Sequence, residues 1–414
     1  MTSGGALARR LGLSDAIVIG VGSMMGAGVF AAFAPASAAA GVGLLVGLAV
    51  AAIVAVCNAL SSAQLAAQYP TSGGTYVYGR ERLGHWPGFL AGWSFVIGKT
   101  ASCAAMALTF AHYAVPDEYT KLAAVAAVVV LASVNYVGVT RTAALTKVLV
   151  TLVLVVLVGT TLVGLSAPTR LPDASASIDH GWYGILQSAG LLFFAFAGYA
   201  RIATMGEEVV DPRRTIPRAI ITALAIALCV YAVVAVTVLA VLGPDQLAAS
   251  TAPLVDVVTT AGQSWAAPIV RVGASLAALG ALLALIAGIG RTSLAMARNR
   301  DLPRCLSAVH PRFAVPHRAE ITLAVVVGVL VLTVDLRGAI GFSSFGVLLY
   351  YLIANVSAWT QAPDDRRYPR PVQAVGAVGC VALMATLPAP AIGVGVAVLA
   401  VGVVYRCVRL RRAR

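Results

Sequence analysis

Apolar residues occupy this chain in long uninterrupted stretches, parted by short polar segments. A helix that spans a bilayer needs about 20 mostly apolar residues. Twelve such stretches can be read at roughly 15–36, 41–66, 87–113, 120–138, 143–165, 183–207, 217–242, 264–297, 319–335, 339–361, 371–388 and 390–407. The final pair is short, divided at Pro388-Ala389-Pro390. The run that opens near Asp15 is too long for a signal-peptide core and is expected to remain as the first span. No soluble domain fits between spans. The pattern predicts an all-α integral membrane protein.

Composition agrees with that pattern. The chain has 414 residues, of which 60% are hydrophobic and 11% charged. A soluble domain carries about 25% charged residues, so lipid is the natural solvent here. The formal net charge is +13. With no basic stripe interleaved with aromatics, no nucleic-acid partner is implied; basic loops on one side of a membrane account for the charge. With both termini cytoplasmic, 23 of the 29 Lys and Arg residues lie inside and only Lys121, Arg170 and Arg337 outside. Lys99, Arg201 and Arg271 fall within spans. The abundance of Ala, Val and Arg beside only three Lys suggests a GC-rich bacterial genome, hence a bacterial plasma membrane.

Enzyme chemistry finds no support. The five histidines, His85, His112, His180, His310 and His317, fall in or near loops and form no metal pair. The six cysteines form no C-x-x-C pair and read as small buried hydrophobes. No cofactor and no metal is implied.

Two spans are interrupted. The first contains Gly20-Val21-Gly22-Ser23-Met24-Met25-Gly26-Ala27-Gly28-Val29-Phe30. Each glycine weakens a helix by about 1 kcal/mol relative to Ala. Gly22 and Gly26 could also serve close helix packing as a GxxxG pair. The spacing is not that of a dinucleotide loop, and no βαβ unit surrounds it. The sixth span contains Phe193-Phe194-Ala195-Phe196-Ala197-Gly198-Tyr199-Ala200-Arg201, small residues between bulky ones and then an arginine that lipid would not tolerate. Irregular backbone at membrane depth persists only where it lines a cavity. Interrupted segments five spans apart fit an inverted repeat with a binding site near the midplane, although the halves share no clear residue-level similarity. A half-helix N-terminus suits a carboxylate, and free carbonyls at a C-terminal end suit an ammonium. One zwitterion could bridge both breaks, which makes an α-amino acid the natural substrate.

Four segments together resemble the amino acid–polyamine–organocation (APC) permeases. They are Gly20 to Phe30; Phe193 to Tyr199; Glu207-Glu208-Val209-Val210-Asp211-Pro212-Arg213-Arg214-Thr215-Ile216-Pro217-Arg218-Ala219; and Ala295 to Pro303 with His310-Pro311-Arg312 and Pro316. The resemblance covers roughly residues 10–360. It implies the LeuT-type fold, ten core helices in two inverted repeats (about 15–165 and 183–361) with helices 1 and 6 discontinuous. Two peripheral helices over 371–407 would follow, with a cytoplasmic segment at 1–14 and a basic tail at 408–414. Carried over by position, Gly26, Ala27 and Gly28 would offer N–H groups to the substrate carboxylate. The carbonyls of Phe194, Ala195 and Ala197 would receive its amino group. Tyr199 and Phe196 would shape a side-chain pocket or gate, with Ser23, Met25 and Gly198 in the same two stretches.

The usual coupling devices are missing. Some proton-coupled relatives carry a lysine in span five where an ungapped comparison from Gly138-Val139 places Val153, and Lys147 reads as a positive-inside residue. Sodium-coupled relatives need hydroxyls on span eight, where Ala277-Ala278-Leu279-Gly280 has none. Lys99 is the remaining candidate, since an ionisable group inside a span is functional by default and desolvation favours a neutral amine. Arg201 could pair with Glu207 or Glu208 or attract an anionic substrate group. Glu207 and Glu208 are expected to hold an inner gate by pairing with basic loop residues, and Arg271 to snorkel or gate at the outer end. With few acidic partners for these cations, a neutral or acidic substrate side chain is favoured over a cationic one. The expected function is a secondary transporter moving an amino acid by alternating access, by proton-coupled symport or exchange. The alternatives are an organic amine or polyamine transporter of the same fold, and an amino acid sensor that does not translocate.

Overall fold

A computed structural model describes residues 11–71, 73–137, 143–167, 180–313 and 315–412. Its helices are α1 (Leu13–Met24), α2 (Ala27–Ala31), α3 (Phe33–Ala40), α4 (Leu44–Gln68), α5 (Thr75–Leu83), α6 (His85–Ala114), α7 (Thr120–Tyr136), α8 (Ala143–Leu165) and α9 (Gly181–Phe196). There follow α10 (Ala200–Ala203), α11 (Pro212–Ala249), α12 (Pro253–Thr260), α13 (Ala267–Arg298), α14 (His317–Thr333), α15 (Leu336–Trp359), α16 (Arg370–Ala385) and α17 (Ala389–Arg412). The described residues form no β-strand, only an isolated bridge between Leu11 and Val209.

A helix occupies each of the twelve apolar stretches. Among the described residues, ten helical stretches are long and apolar enough to cross a membrane. The chain is a multi-pass membrane protein. Two helices lie outside the stretches read from hydropathy. The polar α5 leaves Gly74 and packs Tyr76 and Tyr78 inward. The short α12 starts with Pro253, whose missing N–H costs nothing in a first turn. Within α11 the chain bends at Gly243, which takes φ 73 and ψ 169, a left-handed excursion that favours glycine, just before Pro244.

Burial separates core from periphery. In α6 89% of the most apolar window is buried, whereas in α17 the figure is 22%. Outward rows such as Val155, Val158 and Leu162 on α8 and Val401 and Val404 on α17 are exposed. They suit contact with lipid tails. Lipid gives helices little hydrophobic reason to associate, so small residues and polar contacts must hold them. The interior supplies both. Asn355 on α15 donates to Asn58 Oδ1 on α4 at 2.6 Å and accepts from Ser61 at 2.7 Å. Cys380 on α16 lies 3.4 Å from the Asn58 amide nitrogen, which brings a peripheral helix into the same cluster.

At one end of the bundle the chain is stitched more firmly. Leu11 N–H donates to the Glu208 carbonyl at 3.1 Å, and Val210 N–H donates to the Leu11 carbonyl at 2.9 Å. This ties the entry of α1 to the linker between α10 and α11. Lys147 on α8, read from sequence as a positive-inside residue, pairs with Asp15 on α1 at 2.6 Å. Asp301, after α13, sits between Arg80 of α5 and Arg406 of α17.

Candidate functional site

The two interruptions meet. α1 ends at Met24, Met25 leaves the helix at φ −77 and ψ 24, and Gly26 turns with ψ −137 before α2 begins. The second interruption is tighter than an unwound loop. α9 passes into a 3₁₀ turn at Ala197–Tyr199 and resumes as the four-residue α10. Its residues keep right-handed dihedrals, so the helix tightens without opening. Gly198 lies against the backbone of the first break. A Cβ there would stand 2.6 Å from Met24 N and would also collide with the Ser23 carbonyl. Only glycine permits that approach.

Tyr231 on α11 locks the pair. Its hydroxyl lies 2.6 Å from the Met24 carbonyl and 2.9 Å from the Ala195 carbonyl, so one phenol serves both broken helices. Lys99 on α6, only 5% exposed, donates from Nζ to the Ala197 carbonyl at 3.0 Å. The Phe194 carbonyl accepts the Ala197 N–H. Each of the three carbonyls singled out in the sixth span thus already takes a donor from the protein. A carbonyl has a second lone pair, so a further donor can still be received.

A cavity of about 570 Å³ opens beside the breaks, a size suited to a small metabolite. Of the residues singled out from sequence, Ser23, Lys99, Phe194, Ala197, Gly198, Arg201, Glu207 and Glu208 line it. Met25, Gly26, Ala27, Gly28, Ala195, Phe196 and Tyr199 are buried and stand off its wall. A Cβ on Gly26 would lie 2.7 Å from Ala281 Cβ and 3.4 Å from Met106 Cε, and both neighbours do line the cavity. Phe196 packs on Tyr231 with centroids 5.0 Å apart, and Tyr199 packs on Tyr351, also at 5.0 Å. Arg271 is exposed and donates to the Tyr113 carbonyl at 3.0 Å, away from the cavity.

From the breaks the cavity runs to the exposed Glu207 and to Glu208, whose carboxylate is 3.4 Å from Arg291 Nη1. Arg291, one helical turn beyond Gly288 on α13, did not stand out in the sequence. Neither did Ser102, one turn after Lys99 on α6. Its hydroxyl shares a hydrogen bond of 2.7 Å with Ser343. On the other side of the breaks, Phe30 and Tyr113 are fully buried with their rings edge to face, and Tyr113 donates to the Phe30 carbonyl at 2.9 Å. A second hollow of about 520 Å³ shares Ser23, Arg201, Glu208 and Arg291 with the first and extends toward α14.

Val153, 3% exposed, lies beside a gap of about 20 Å³ that Gly22, Met25, Ala277 and Gly280 also line. No ionisable group lines that gap.

The family model described as amino acid permease matches residues 11–408. An uncharacterized transporter of Mycobacterium tuberculosis is 60% identical, over 99% of this chain and 93% of its own length. The branched-chain amino acid permease of Bacillus subtilis is 27% identical, over 87% of this chain and 83% of its own. The chloroplastic cationic amino acid transporter 7 of Arabidopsis thaliana is 28% identical, over 85% of this chain and 65% of its own. The chain therefore belongs to the amino acid permease family, within the APC superfamily, and is a transporter rather than an enzyme.

Proposed function

We propose that this permease is a secondary active transporter that moves an amino acid by alternating access. The observation that carries this is the one-sided cavity. It touches both helix breaks and runs to the exposed Glu207, whereas the buried Phe30–Tyr113 contact beyond the first break does not line it. A pathway open on one side and sealed on the other is what an alternating-access carrier needs; a channel needs no such seal. In this proposal the chain crosses the membrane twelve times, with inverted repeats at about 15–165 and 183–361 and both termini in the cytoplasm of a bacterium. The shorter α14 and α16, of 17 and 16 residues, supply the spans beyond ten.

Movement would be carried by the hinge at the breaks. Tyr231 and Gly198 hold α1 and α9 to each other there, so α1 and α10 can rock as one body. The substrate carboxylate would meet the N–H groups of Gly26 to Gly28 once Met106 moves aside, and its amino group would take the open lone pairs of the sixth-span carbonyls. Coupling to protons would run through Lys99, which touches the Ala197 carbonyl and lines the cavity. Reconstitution in liposomes tests the proposal. Accumulation of a labelled amino acid above its outside concentration, driven by an imposed pH gradient, is expected. Equilibration without accumulation under every ion gradient would overturn the active-transport assignment.

A further inference from the structure

We infer that the cavity selects an acidic amino acid, with the guanidinium of Arg201 as counter-ion to the substrate's side-chain carboxylate. This rests on the amino acid transport proposed above and narrows it to one substrate class.

The charges in the cavity wall carry the inference. They are Lys99, Arg201 and Arg291 against Glu207 and Glu208. Glu208 is engaged by Arg291 at 3.4 Å, and Glu207 is exposed at the mouth. Among the described residues no carboxylate comes within salt-bridge distance of Arg201 or Lys99. Arg201 projects from α10 across to α13, where its Nη1 is 3.8 Å from the position of a Cβ on Gly288. Among the described residues its side chain donates no hydrogen bond. A guanidinium has five donors and does not lose its proton. Its charge is offset only at a distance by Glu208, which Arg291 already engages, so an entering anion would complete its compensation.

The acceptors point the same way. The carbonyls of Phe194, Ala195 and Ala197 already accept from Ala197 N–H, Tyr231 and Lys99, and the lone pairs they keep are assigned above to the substrate's α-amino group, so none is left over for a cationic side chain. The deep cavity is therefore rich in donors and in positive charge. A lysine or arginine side chain would face two cations at short range, whereas a carboxylate would face two counter-ions. A protonated Lys99 beside an acidic substrate would also make proton and anion enter as a pair.

The full chain, purified and reconstituted, tests this with L-glutamate, L-aspartate, L-leucine and L-lysine as probes, by calorimetric binding and by uptake under a pH gradient. Glutamate or aspartate is expected to bind and accumulate, with lysine failing to compete. Arg201→Gln should weaken binding of the acidic probe by about tenfold or more, the scale of a lost hydrogen bond to a charged group, while Arg201→Lys keeps much of it. Thermal melting checks that both variants are folded. Uptake of leucine or lysine with no glutamate or aspartate binding would overturn the inference and leave transport standing. Equal binding of glutamate by wild type and a folded Arg201→Gln would overturn it as well. Glutamate binding with no uptake of any probe would uphold the substrate class and overturn the transport proposal instead.

Discussion

The ammonium of Lys99 lies 3.0 Å from the carbonyl oxygen of Ala197, joining α6 to the tightened turn of the sixth span. The two residues are 98 positions apart in the chain. The lysine has no acidic partner among the described residues and relies on a backbone dipole inside a largely apolar core. A change in its protonation changes how strongly that carbonyl is held, since a charged donor bonds more strongly than a neutral amine. Lys99→Ala is expected to abolish accumulation driven by a pH gradient and to leave exchange of labelled for unlabelled substrate measurable. Full uphill accumulation by the variant would remove Lys99 from the coupling mechanism.

Tyr231→Phe removes a hydroxyl whose single hydrogen the buried carbonyls of Met24 and Ala195 share, and so costs them that donor. Leaving such a group unsatisfied costs about 1–3 kcal/mol. The ring still fits against Phe196, so packing is retained. A lower melting temperature in detergent is expected, together with slower uptake as the two broken helices lose their common anchor. An unchanged melting curve and rate would show that the phenol is dispensable.

Gly198→Ala should be worse than its single added methyl suggests. The nearest atoms to the new Cβ are backbone atoms of Ser23 and Met24, which cannot swing aside as a side chain could. Overpacking of this kind costs about 1–3 kcal/mol. The strain would fall on the contact between the breaks, so uptake is expected to fall further than stability. The same substitution at Gly159, where a Cβ meets nothing within 4 Å, serves as the control and should behave like wild type.

Much of this architecture was legible in the chain because lipid imposes a simple demand. Continuous apolar runs must be helices, and glycines beside a stray arginine mark where the helices are disturbed. The pattern could not show how each disturbance is built. The first span breaks outright at Met25 and Gly26, where ψ goes to 24 and −137, while the sixth keeps right-handed dihedrals and tightens into a 3₁₀ turn. Long-range partners were equally hidden. Tyr231 sits in an unremarkable Ala- and Val-rich stretch, and nothing local says that it reaches both breaks. The helix α5 escaped notice because it is short and polar, and its inward-facing Tyr76 makes sense only beside Asp301. Lys147 and Arg406 both count among the 23 basic residues read as lying on the inside, yet each pairs with a carboxylate distant in the chain, Asp15 and Asp301.

That last pair yields a stability test away from the cavity. Asp301 is 6% exposed and its carboxylate accepts from Arg80 Nη1 at 2.8 Å, from the Tyr76 hydroxyl at 2.8 Å, and from Arg406. Arg406 is also 4.7 Å from the Phe89 ring centroid, which fixes the end of α17 against α6. Burial, and then the neighbouring carboxylate, push the Tyr76 phenol up to about 12, so it remains a donor at physiological pH. Asp301→Asn would leave two guanidinium groups facing each other without a counter-charge, at a cost of about 3–5 kcal/mol. A large drop in melting temperature at pH 7 is expected. The pH dependence has a definite sign. A phenol whose folded value exceeds its ordinary 10 contributes stability that is complete below pH 10 and is lost as the pH rises toward 12. Wild type should therefore soften across that alkaline window. In Asp301→Asn the phenol falls back toward its ordinary value, and the softening should be shallower. Equal melting temperatures at pH 7 would mean that α17 is held by its other contacts, among them Trp93 Nε1 to the Val398 carbonyl and Arg406 to the His85 carbonyl.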